Sequence, residues 1–151
     1  MRDKRFIAKH RGGPLGKEQH YQLMEWAFEC SEHVLDLIEG KIDERLKNAI
    51  KIGKDWLDGK ATVGDARKAS INAHLVARES TNPVEIAVAR SIGQAVATAH
   101  MADHCLGAAW YALKAVKIVG ESVDLEIKWQ NNKLPIEIKD LVLSARKIKG
   151  I

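Results

Sequence analysis

Between Arg90 and Lys114 lie 23 residues whose only formal charge is Asp103. Ala fills much of that stretch, and an apolar series recurs at helical spacing through Val88, Ile92, Ala95, Ala99, Ala102, Leu106, Ala109, Leu113 and Val116. The remaining faces carry Ala89, Gly93, Val96, Ala97 and Gly107. A helix that is apolar all round has to be covered on most of its circumference. Asn82-Pro83 is a start signal, because Asn caps and Pro at the first helical position forfeits no hydrogen bond. No evident breaker follows until Gly120, so the pattern predicts one long central helix over about 83–119, with Gly93 and Gly107 permitting a bend or a close approach. Its length would suffice for a membrane span. Gln94, His100, Asp103 and His104 sit in the middle, however, and insertion of such a segment is costly. The expectation is therefore the centre of a water-soluble bundle.

At 151 residues the chain suits a single domain over 1–151. Three Pro and two Phe, with abundant Ala, Lys, Ile and Leu, favour an all-α class. The N-terminal residues are too charged to form the apolar core of a signal peptide, and Cys30 and Cys105 both fall in apolar helical stretches. A reducing cytoplasm is the simplest setting. The formal charge of +4 is concentrated in residues 1–20, which hold six Lys or Arg against two acids.

Taken in order, residues 1–14 read as a basic arm or short helix, closed by the break Arg11-Gly12-Gly13-Pro14. A first helix over about 17–38 places Leu23, Trp26, Cys30, His33, Val34 and Leu37 inward. Another side carries Glu25, Glu29, Glu32, Asp36 and Glu39 at intervals of three and four, and residues 21–40 contain no Lys or Arg. A solvated face accounts for such a strip without any partner. Like charges at these spacings are mildly destabilising, so a basic partner, or the arm itself, would relieve them. Further helices are expected over about 43–58, from a Thr62 cap through Glu79, and over two segments of the tail. In that tail Val123, Leu125, Ile127 and Trp129 alternate with charged residues at a strand period; the Ser122 cap and the isolation of any hairpin favour helix. The total is about six helices. Whether the Ala-rich helix is covered within one chain or across a homo-oligomer is open at this stage.

The most enzyme-like group is His100-Met101-Ala102-Asp103-His104. Two His at i and i+4 share a helix face and could hold a metal, with His33 and His74 as further ligands, which would make a metal-dependent helical-bundle enzyme. The zinc-hydrolase Glu is absent and no Glu-x-x-His pair occurs. A hydrogen-bonded network of His33, His74, His100 and His104 with Asp103 is the preferred reading, without cofactor and without catalytic residues. The arm cations Arg2, Lys4, Arg5, Lys9 and Arg11 could meet nucleic-acid phosphates, but their number is modest and the acidic strip opposes a wide basic footprint.

Several stretches in order resemble a known bacterial family. They are Asp3-Lys4-Arg5-Phe6 with His10-Arg11-Gly12-Gly13-Pro14-Leu15, then Glu32-His33-Val34-Leu35, Ala66-Arg67-Lys68-Ala69, Ala73-His74 and Ala77-Arg78-Glu79. The run from Ala95 through His100 to Tyr111 and Val116 follows, and then Trp129-Gln130, Leu134-Pro135 and Asp140-Leu141-Val142. The chain resembles the all-helical, immunity-protein-five-like group of polymorphic toxin systems. That resemblance implies a non-enzymatic cytoplasmic protein that binds and neutralises a cognate toxin. The candidate contact residues are Glu25, Glu29, Glu32 and Asp36 on the acidic strip, and Arg5, His10 and Arg11 on the arm.

Overall fold

A computed structural model describes residues 2–150. Among the described residues seven α-helices form: α1 (Lys17–His33), α2 (Glu44–Leu57), α3 (Val63–Glu79), α4 (Pro83–Ala97), α5 (His104–Ile118), α6 (Val123–Asn132) and α7 (Ile136–Lys149). Short 3-10 turns cover Lys4–Phe6, Lys9–Arg11 and Leu35–Leu37. Among the described residues there is no strand, only an isolated bridge between Ala8 and Leu15. The all-α expectation holds, and 123–132 is helical, capped by Ser122 Oγ accepting from the Leu125 amide at 3.2 Å.

The central helix is the correction. The stretch 83–119 is two helices folded against each other rather than one. At 1.5 Å per residue an unbroken helix of that length would run about 55 Å, well beyond what the rest of a chain this size can cover. Folding it in half lets each half bury the other. The break carries neither Pro nor a positive-φ residue. After Ala97 the bonding tightens to i→i+3, with the Thr98, Ala99 and His100 amides donating to Ala95, Val96 and Ala97. The Thr98 carbonyl, which a continuing helix would offer to Ala102, instead accepts from His20 Nε2 at 2.6 Å.

Around this hairpin, α4 packs on α1, α2, α3 and α5, while α5 also meets α1 and α6. Gly93 and Gly107 serve close packing, not a bend: a Cβ on either would come within 2.8 Å of His74 Nε2 or Gln94 Oε1 respectively. Buried hydroxyls pin the layers. Ser31 Oγ donates to Ser91 Oγ at 2.8 Å, Ser91 Oγ donates to the Ala108 carbonyl at 2.7 Å, and Ser70 donates to the Gly93 carbonyl at 2.9 Å.

The N-terminal segment is tied down. Phe6, Ala8 and Leu15 are buried, the Lys9 amide donates to the Leu15 carbonyl at 2.9 Å, and the Leu15 amide donates to Ile7 at 3.0 Å. The turn needs both glycines, since Gly12 has φ +87° and a Cβ on Gly13 would overlap the Ile7 carbonyl. At the other end Arg146 of α7 is only 3% exposed. Its guanidinium bonds Asn131 Oδ1 at 2.6 Å and Gln130 Oε1, and lies over the Trp26 ring, while Trp26 Nε1 donates to the Gln130 carbonyl at 2.8 Å.

Candidate functional site

Helix α1 ends at His33, and that boundary divides the acidic residues. Glu25 and Glu29 are exposed on the helix, Glu32 is half-buried, and Asp36 and Glu39 lie beyond it on the following 3-10 turn and loop. Burial raises the Glu29 carboxyl above its usual value, opposed by Lys133 and reinforced by Glu25 and Glu32. Glu32 meets Lys54 Nζ of α2 at 3.2 Å. The basic arm does not relieve this strip, contrary to the expectation that it could. Arg5 is clamped by Asp3, with Nη2 2.7 Å from Oδ2, and its Nη1 reaches Ser144 Oγ on α7 at 3.0 Å; Arg2 pairs with Asp103 at 3.1 Å.

The histidines divide as well. His33 was expected to face inward, but it lies one position off the buried series Trp26, Cys30 and Val34 and is exposed. Its Nδ1 donates to Glu126 Oε2 at 2.6 Å and its ring stacks on Trp129 with centroids 3.5 Å apart. The predicted four-histidine network is therefore incomplete. His100 and His104 do adjoin, with ring centroids 5.2 Å apart; His104 Nδ1 donates to Gln94 Oε1 at 2.8 Å, and His74 packs over Gly93. Among the described residues no three His, Cys, Asp or Glu side chains are placed to hold a metal ion. Cys30 and Cys105 are wholly buried, and desolvation pushes both thiols up.

A second locus forms where the N-terminal segment crosses the α4–α5 turn. A cavity of about 320 Å³ opens there, walled by Arg2, His10, Arg11, His20, His100 and Asp103 with apolar neighbours that include Phe6 and Met101. His10 and Arg11 stand exposed beside it, so two of the three predicted arm residues meet at one place; Arg5 lies elsewhere. Burial lowers the pKa of His100 to about 4, helped by the positive charge of His104, Arg67, Arg11 and Arg2. Burial likewise lowers His20, His74 and His104. His20, 7% exposed, is a residue the sequence reading did not single out. Its one available signal was position, three residues before Leu23 on the inward face of α1.

These features define an all-helical protein with exposed acidic residues on α1 and a cavity walled by Arg and His side chains at the turn of its central hairpin. The model of the Imm-5 like putative immunity protein family matches residues 13–137, and the chain belongs to that family. Asp3–Phe6 and His10–Gly12 precede the matched residues, and Asp140–Val142 follow them. Comparison with curated proteins and with solved structures gives no match.

Proposed function

We propose that this chain protects a bacterial cell by binding a cognate toxin of a polymorphic toxin system in the cytoplasm, without catalysing a reaction. The observation that carries the reading is the family match over residues 13–137. Neutralisation by occupancy requires a rigid frame and a complementary charged surface, not an assembled set of reacting groups. The contact is assigned to the acidic face of α1, where Glu25 and Glu29 are exposed; Glu32, paired with Lys54, and Asp36, on the turn beyond the helix, are its further candidates. Arg2 and Arg5 of the arm are engaged elsewhere, with Asp103 and with Asp3 and Ser144. A basic patch on the toxin is the matching chemistry. His10 and Arg11 form a separate second surface.

Co-expression with neighbouring toxin genes, followed by calorimetry on any rescued pair, tests the reading. Rescue with a stoichiometric complex is the expected outcome. The double variant Glu25→Lys, Glu29→Lys should keep its helical circular dichroism and weaken toxin binding by about tenfold or more, the size expected when favourable charge pairs become repulsive. Unchanged affinity would remove the acidic face from the interface. Rescue with no detectable complex would overturn protection by binding.

A further inference from the structure

The cavity over the α4–α5 turn shares His10 and Arg11 with the second surface of that reading, and the polar side chains on its otherwise apolar wall are mostly Arg and His. Arg2, His10 and Arg11 come from the N-terminal segment, His20 from α1, and His100 and Asp103 from the turn, with Arg67 of α3 close enough for its charge to act on His100. The carboxylate on this wall, Asp103, is compensated by Arg2 at 3.1 Å. Arg11, by contrast, forms no ion pair among the described residues, and neither does His10. A guanidinium and imidazoles lining one recess offer an oxyanion several nitrogen donors.

We propose that this cavity is a binding site for a phosphate-type oxyanion, held by the Arg11 guanidinium and the His10 and His100 imidazoles. Phosphate suits the wall better than a carboxylate because its oxygens can accept from Arg11, His10 and His100 together, with Asp103 already matched by Arg2. The arginines that oppose protonation of His100, namely Arg2, Arg11 and Arg67, would be offset by the bound anion, whereas His20 and Asp103 keep the partners they have. The proposal does not depend on a toxin, because its test needs no partner protein.

The experiment titrates the full chain with inorganic phosphate, and separately with acetate, at low ionic strength, following the His10 and His100 ring signals by NMR and the heat by calorimetry. Saturable phosphate binding that moves both rings and raises the pKa of His100 is expected, with acetate at least about tenfold weaker. Arg11→Gln, an exposed substitution whose fold is checked by its melting curve, should weaken phosphate by about tenfold or more, the loss expected of one charge-assisted contact. The proposal is overturned if phosphate up to about 10 mM leaves the rings unmoved, if acetate binds equally well, or if Arg11→Gln binds like the parent.

Discussion

At Gly53 the backbone of α2 comes against the ring of Phe28 on α1 so closely that a Cβ there would overlap the ring's edge. Phe28 is itself buried and has little room to give. Gly53→Ala should therefore lose stability despite its better helix propensity, by about 1–3 kcal/mol as for other overpacked sites, read from urea unfolding. A gain would mean that the ring moves freely. Gly53 stands at helical spacing from Leu46 and Ala49, both buried, but the contact that makes it glycine depends on how two helices cross. The same spacing misjudged His33. Adjacent residues on a helix point about 100° apart, and Val34 takes the inward position that the pattern assigned to both. Trp26, Cys30 and Val34 were legible because three apolar residues agree; a lone histidine at the edge of the stripe had no such corroboration.

Helix starts were the most readable elements, since each depends on a few neighbouring residues. Asn82 Oδ1 accepts from the Val84 amide at 2.9 Å and from Glu85 at 3.3 Å, and Thr62 and Asp65 exchange hydrogen bonds at the head of α3. Asn82→Ala should cost about 1 kcal/mol, seen as a lower melting temperature, because α4 is the helix on which α1, α2, α3 and α5 all pack. No loss would show that packing alone holds its first turn. The interruption at Thr98 to Asp103 was not readable. It coincides with a hydrogen bond from a residue 78 positions away, and a local pattern contains no sign of that. Helix α6 was ambiguous for another reason. It buries Glu126 and Gln130 and leaves Leu125 66% exposed, so hydropathy does not trace its inner face.

Across the molecule, His20, His74, His100 and His104 are all held below the ordinary histidine value of 6.5, chiefly by burial. The unfolded chain binds protons at these sites more readily than the folded one. Stability should be complete above pH 6.5 and fall as the pH drops towards 4, the value to which His100 is pushed. His100 alone should account for a loss on the order of 1 kcal/mol at pH 5, allowing for its partial exposure. Urea titrations at pH 7.5 and 5 check this, and equal midpoints would show the histidines to be solvated in the folded state. The acidic face was legible as composition, while the cavity was not, because it joins residues about 90 positions apart. The buried ends of the molecule bear on where its limits should be drawn. Phe6 and Ala8 lie before the family match, and Val142, Ala145 and Arg146 lie after it, yet all five are buried. The stretch that marks kinship is thus shorter than the stretch that folds, and a chain trimmed to residues 13–137 would uncover Trp26 and Gln130 and lose one wall of the cavity.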